Sequence, residues 1–315
     1  MEKQDLDSSF FSNIKMSQIQ KFKICCLTYN MHGQCPTNEE LNQLLNIHKE
    51  KNFDIYAIGS QECLRSIFKS LFFSDKSKWE NLLKSFFGEN YEMKASVTLA
   101  AIHIIIFVKK SIRNNIRNIT FNSIKTGANY NLGNKGAVGV WFTFMNINIM
   151  IINSHLAARK ENSEIRNNSF EYIIKNMNPN FKKLDFIVFM GDLNYRLNNN
   201  KIEINKIRND YLELLEFDQL SFEKRRIKLI SNLGFKEGKI NFLPTFKYRN
   251  NTDEFDVRNI KKQPAWTDRI LYTKRETCFG ILDVEQIEYD SMQNILMSDH
   301  KPVYSYFDIK MIIGI

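Results

Sequence analysis

The chain has 315 residues, 43% of them hydrophobic, with 12 Gly and 5 Pro. That is enough for one large domain or two small ones, and it excludes long Gly/Pro linkers. A formal net charge of +9 favours anionic partners such as nucleic acid, anionic lipid or phosphorylated substrates.

Five Cys, an odd count without a CxxC pair, suggest neither a zinc site nor a disulfide framework, so reduced thiols are expected. The first residues include acidic side chains and no continuous apolar core, so no signal peptide is expected. The longest apolar runs, such as 102–108, are too short to cross a membrane.

Residues 1–20 are polar and weakly periodic, and read as an N-terminal extension. Residues 22–28 predict a strand. Thr37-Asn38-Glu39-Glu40 is a capping box that opens a helix with Leu41, Leu44, Leu45 and His48 on one face. Residues 54–59 predict a buried strand, and 64–87 a helical region. The β-branched runs 96–109, 116–125, 136–144 and 147–154 predict a strand-dense segment. Residues 161–177 predict a helix with Ile165, Phe170, Ile173, Ile174 and Met177 on its apolar stripe. A core strand follows at 184–190, then helices within 206–232 and strands near 269–272, 281–287 and 303–309. No repeat or composition break appears. The pattern predicts α/β layers, with sheets face to face and helices outside.

Five apolar runs end abruptly in polar side chains. Residues 27–29 run into Asn30, and 55–59 into Gln61-Glu62. Residues 149–152 run into Asn153-Ser154-His155, and 187–190 into Gly191-Asp192-Leu193-Asn194. Residues 295–297 run into Ser298-Asp299-His300. Any one such end makes a turn more often than a site. Five with the same Asn, Glu, Asp and His chemistry point to side chains aimed by rigid strands at one place.

Those residue types suit phosphate ester hydrolysis, which needs an activated water and neutralised phosphoryl oxygens. Glu62 and Asn30 can ligate a hard cation such as Mg2+ through oxygen. Asp192 can orient and deprotonate a water. Asn194, two residues on, can donate to the transition state. His300, oriented by Asp268 or Asp299, can contact phosphoryl oxygens.

The runs LTYN (27–30), GNKGAV (133–138), NSHLAA (153–158), FMGDLNYRL (189–197), QPAWTDRILY (263–272) and MSDHKPV (297–303) resemble the signatures of the inositol polyphosphate 5-phosphatase catalytic domain. They fall in that family's order, so the resemblance covers nearly the whole chain. It implies a four-layer α/β/β/α sandwich of the endonuclease/exonuclease/phosphatase type over residues 21–310. Asn30 and Glu62 are then the Mg2+ ligands. Asp192 is the base, Asn194 its partner, and His155 and His300 contact the scissile phosphate. Asp268 orients His300, and Asp299 lies beside metal and phosphate.

The resemblance also implies substrate-binding residues. Asn134 and Lys135 match a loop that meets the 1-phosphate. Lys247 of PTFKY (244–248) matches a lysine that reads the 4-phosphate, and Lys261 and Lys262 match a basic pair used likewise. Tyr195 and Arg196 fall at the pocket, and Arg166-Asn167 match a structural pair. The KTG and GNKGAV runs (125–127, 133–138) are similar to the lipid-acting branch. A phosphoinositide in an anionic membrane surface is therefore the expected partner, met by a cytoplasmic, reversibly adsorbed monomer. No nucleic-acid partner and no transmembrane segment is expected. The alternatives are a nuclease of the same superfamily, a soluble inositol phosphate as substrate, and a non-catalytic lipid-binding module. The chain departs from the pattern at Tyr29 (usually Trp), Ser60 (usually bulky and apolar), Thr267 (usually Cys), Phe246 (usually Tyr) and Arg159 (often a second His).

Overall fold

The computed structural model describes residues 19–64, 75–128, 130–178, 183–198, 210–223, 232–256, 258, 263–275 and 281–312. Eleven strands among them form two sheets. β1 (Ile19–Asn30), β2 (Ile55–Gln61), β3 (Tyr91–Leu99), β4 (Ile102–Lys109), β10 (Ile281–Ser291) and β11 (Val303–Ile312) make the first, in the order β10-β11-β1-β2-β4-β3. β5 (Ile116–Gly127), β6 (Leu132–Phe144), β7 (Ile147–His155), β8 (Phe186–Asp192) and β9 (Asp268–Lys274) make the second, in that order.

Alternation along the strands sets the layering. In β1, Phe22, Ile24 and Cys26 enter a core shared with Ile149, Ile151 and Val188 of the other sheet. Cys25, Leu27 and Tyr29 point the opposite way, against α1 (Asn38–Lys49) and α2 (Ser77–Phe87). In β7, Met150 and Ile152 likewise face α3 (Ser163–Met177). One sheet-on-sheet core and two helix-on-sheet cores amount to four layers, α/β/β/α. Strands buried on both faces read as continuous apolar runs, which is why 102–108 and 149–152 show no polar alternation.

The capping box is formed: the Glu40 amide donates to Thr37 Oγ1 at 3.2 Å, and the Thr37 amide donates to Glu40 Oε2 at 2.8 Å. Leu41, Leu44, Leu45 and His48 are the buried face of α1, as their spacing predicts. Other expectations shift. The run 96–109 is a hairpin, β3 and β4, turned at Ala100 with φ +50°. Ile165 is exposed, and its neighbour Arg166 is buried instead, held by polar bonds that no apolar pattern announces. Residues 295–297 lie on the loop between β10 and β11, not on a strand. Of the helices expected in 206–232, the described part holds a 3-10 segment, Tyr211–Phe217, and a short helix α4, Gln219–Glu223.

Each sheet carries one parallel pair, β1–β2 and β7–β8, amid antiparallel neighbours. The parallel pairs end together: Asn30 opposite Gln61, and His155 opposite Asp192. Asp192 also faces Asp268 across β9. The ends of β1, β2, β7 and β8 and the start of β9, five strand termini, thus meet at one edge of the sandwich.

Candidate active site

A cavity of about 580 Å3 opens at that edge. Its lining includes Asn30, Glu62, Lys135, His155, Asp192, Asn194, Arg196, Asp299 and His300. These residues span 271 positions of sequence (Asn30 to His300), and every one was a candidate from the sequence.

The Asp192 carboxylate is the centre. Its Oδ2 accepts from Asn30 Nδ2 at 3.0 Å and lies 3.2 Å from His155 Nε2 and 4.0 Å from His300 Nε2. Burial opposes ionisation, but His155, His300 and Lys135 outweigh it and hold the carboxyl well below the usual carboxylate range.

His300 is oriented by Asp268, not by its neighbour Asp299. His300 Nδ1 lies 2.9 Å from Asp268 Oδ2, which also accepts from Thr245 Oγ1 at 2.7 Å and Thr267 Oγ1 at 2.9 Å. Thr267, where the family pattern has Cys, therefore supplies a hydroxyl to the orienting carboxylate. This arrangement assigns the proton to Nδ1 and aims Nε2 into the cavity. Burial disfavours the imidazolium, but Asp268 and Asp192 more than offset that and push its pKa up to about 9. Asp192, Asp268 and His300 lie close enough to hold a metal ion. The Nδ1–Asp268 bond uses that set internally, and it reads as a carboxylate–imidazole relay.

Asn194 is equally constrained. It stands in the left-handed region, φ +58°, with its amide on Asp192 Oδ1 at 3.1 Å. Its side chain donates to Leu156 O at 3.2 Å and accepts from Arg196 Nη2 at 2.5 Å. Glu62 (φ +51°), His32 (φ +49°) and Arg159 (φ +76°) share that uncommon backbone region, so four cavity residues do. Non-glycine residues there cost of order 1–3 kcal/mol each and concentrate at functional sites.

Lys135 bonds His155 Nε2 across β6 and β7. Burial lowers its pKa to about 8, with Asp192 and Glu62 opposing the shift. His155 is lowered too, by burial first and by Lys135 second. Lys247 Nζ lies 3.2 Å from Asp299 Oδ2 and 3.6 Å from Asp256; it is not part of the cavity lining and meets it through Asp299.

Two candidates are misplaced by the sequence reading. Tyr195 is fully buried under α3, its hydroxyl donating to Asn167 Oδ1 at 2.8 Å, and it does not reach the cavity. The chain leaves β8 at Asp192 and turns at Asn194, φ +58°, which puts Asn194 and Arg196 on the cavity and Tyr195 in the core under α3. Asn134 folds onto Gly127, where a Cβ would lie 1.8 Å from its Oδ1, and it is not part of the cavity lining. Lys261 and Lys262 lie outside the described residues.

Other features were missed. His32 lines the cavity, its Nδ1 3.0 Å from Asp299 Oδ1. Its signal was the turn after Asn30, where a second polar side chain follows a strand end. Ser298 donates to Asn30 O at 2.7 Å and accepts from the His300 amide at 3.2 Å, tying the loop to β1. Trp266 donates to Phe242 O at 2.9 Å, and Arg269 is wholly buried between Asp218 and Glu237 at 3.0 and 2.6 Å. Most of the QPAWTDRILY run is thus scaffold around one reacting-centre residue, Asp268.

Residues 27–306 match Endonuclease/Exonuclease/phosphatase family 2. The chain belongs to that family. It is 32% identical over 311 residues to the type II inositol 1,4,5-trisphosphate 5-phosphatase of Mus musculus, which covers 92% of this chain. It is 31% identical over 297 residues to a phosphatidylinositol 4,5-bisphosphate 5-phosphatase of Saccharomyces cerevisiae. The chain spans about 30% of the length of each of these relatives. Among solved structures it resembles the inositol polyphosphate 5-phosphatase domain of SPsynaptojanin, bound to inositol (1,4)-bisphosphate and calcium. The TM-score is 0.78 at 28% identity, over 93% of this chain and 85% of that one. Cimex nitrophorin in its ferrous NO complex shares the fold at 19% identity and TM-score 0.70. Family membership therefore places the fold, and the site must carry the chemistry.

Proposed function

We propose that the chain hydrolyses the 5-phosphate of phosphoinositide lipids, phosphatidylinositol 4,5-bisphosphate or 3,4,5-trisphosphate, in a Mg2+-dependent reaction. The observation that carries this reading is the set of contacts on Asp192: Asn30 and His155 on one carboxylate oxygen, with a charged, Asp268-backed His300 beside it. The 5-phosphatase names of the relatives supply the substrate class.

The donor set fits a hard cation. Glu62 and Asn30 offer carboxylate and amide oxygens at adjacent strand ends, and no ion pair engages Glu62 among the described residues. The His32 amide donates to Asn30 Oδ1 at 3.1 Å, which fixes the amide plane. When bound there, Mg2+ supplies positive charge to the phosphoryl oxygens and the leaving group.

The protein's own groups do the rest. Asp192 is ionised, so it aligns a water for in-line attack and takes its proton as the new P–O bond forms. The His300 imidazolium and His155 hydrogen-bond the phosphoryl oxygens as charge develops. Asn194, its amide locked by Arg196 and Leu156, keeps one N–H for the transition state. Lys247 would contact the 4-phosphate, exchanging its ion pairs for it, and Lys135 would contact the 1-phosphate. The unit is taken as residues 21–310, with 1–20 an extension whose last two residues pair in β1. It would act as a cytoplasmic monomer, adsorbing reversibly to anionic membrane through its basic charge.

Released phosphate from a panel of phosphoinositides and soluble inositol phosphates, with Mg2+ or chelator, tests this. Asp192→Asn should lower turnover about a hundredfold or more. Unchanged turnover sinks the assignment. Cleavage of abasic DNA or RNA with no phosphate released from the panel would make the chain a nuclease. Lipid binding with no release in Mg2+ would make it a non-catalytic module.

A further inference from the structure

The cationic side chains that line the cavity or pair with its lining are not alike. Lys135 is bonded to His155, and Lys247 lies between Asp299 and Asp256. Arg196 is forked onto the carbonyl and side-chain oxygens of Asn194, with its guanidinium 4.4 Å over Phe246. Arg159 also lines the cavity, yet among the described residues its guanidinium has no ion pair and no hydrogen bond.

Its backbone, by contrast, is held with unusual completeness. Arg159 stands at φ +76° between β7 and α3. The four carbonyls around it are each bound by a side chain. Arg166 Nη1 takes Ala157 O at 3.0 Å and Arg159 O at 2.6 Å. Asn162 Nδ2 takes Ala158 O at 2.6 Å, and Gln219 Nε2 takes Lys160 O at 3.0 Å. Arg166 and Gln219 are both buried and joined at 2.5 Å, and Gln219 Oε1 also accepts the Arg196 amide at 2.9 Å. One buried hub therefore sets the register of Arg159 against the Asn194–Arg196 run. A rigid mount under an uncommitted guanidinium is what preorganised recognition of an anion needs. Glu161 lines the same rim, so the local charge is balanced and discrimination must come from direct contact, not from a diffuse field.

We propose that Arg159 is a specificity-determining residue that binds a second phosphate of the substrate, one that is not hydrolysed. This rests on the phosphatase reading above. A guanidinium there offers the paired donors that match phosphate oxygens, which a histidine in its place cannot.

The test compares the full chain with Arg159→Ala and Arg159→Lys. The substrates are soluble inositol phosphates that keep the 5-phosphate and lack the 1-, 3- or 4-phosphate in turn. Arg159→Ala should raise KM about tenfold on substrates carrying the contacted phosphate, with kcat within about twofold. On the substrate lacking that phosphate KM should be unchanged, and Arg159→Lys should fall between. A uniform change across the panel, or none, overturns the proposal. Calorimetric titration with inositol 1,4-bisphosphate and with its 3-phosphorylated counterpart reads the same contact without turnover. Weaker binding of at least one by Arg159→Ala is expected, and equal affinity of both for both proteins counts against it. If the unaltered chain releases no phosphate from any substrate, the phosphatase reading fails, and calorimetry still decides on Arg159.

Discussion

The floor of the cavity and its rim are built on opposite terms. On the floor, Asp192, Asp268, His155 and His300 are buried at strand or loop ends, and each is held by side chains from other elements, Asn30 and His155 on Asp192 and His300 and Thr245 on Asp268. On the rim, His32 is 43% exposed and pairs with Asp299, while Arg159 is exposed and is held through its backbone carbonyl, by Arg166. Burial gives the floor a low local dielectric, so its charges act strongly and tolerate little change. The rim keeps solvated side chains that can change without unfolding the sheets. Chemistry and selectivity should therefore separate under mutation.

The largest effect belongs to the relay. His300→Ala or Asp268→Ala should each lower kcat about a hundredfold or more, and the double variant little further, because the two act as one unit. Additive losses would show that Asp268 acts otherwise than through His300. Next, Arg269→Ala leaves Asp218 and Glu237 as uncompensated buried charges and should cost about 3–5 kcal/mol in stability. Denaturant unfolding reads this, and a loss below about 1 kcal/mol would remove Arg269 from the scaffold.

The pH profile ties floor to rim. His300 is charged below about 9 and Lys135 below about 8, so raising pH discharges Lys135 first and His300 second. kcat/KM should fall along an alkaline limb between these values. Lys135→Arg stays charged and should move the start of the fall upward toward 9. A profile flat to pH 10 would contradict both assignments. The smallest effect is expected at Lys247. Because it already pairs with Asp299 and Asp256, Lys247→Ala should weaken selection for the 4-phosphate by only about tenfold in KM. Equal loss on substrates without that phosphate would deny it the role.

The same contrast explains what the sequence disclosed. Floor residues sit where apolar runs stop, so Asn30, Glu62, His155, Asp192 and Asn194 were visible as abrupt changes of composition. The run pattern predicts α/β layers with sheets face to face and helices outside, and the count of four layers comes from the family resemblance. The residues alone leave open which carboxylate orients His300: Asp299 is its direct neighbour in sequence and Asp268 lies 32 residues away, the resemblance implies Asp268, and the approach of β9 to the β10–β11 loop is what brings it there. The rim was harder to read. Its place in a motif puts Tyr195 at the pocket, although the turn at Asn194 sends its ring into the core under α3. Arg166 was noted as structural, but its grip on the carbonyls of Ala157 and Arg159 depends on Gln219, 53 residues on. No periodicity encodes such a bond.

The central claim is that this floor removes one particular phosphate. Product analysis after incubation with inositol 1,4,5-trisphosphate tests it most directly. The account predicts inositol 1,4-bisphosphate as the sole product, formed in Mg2+ and absent in chelator. A different bisphosphate isomer, or the same rate in chelator, would contradict it.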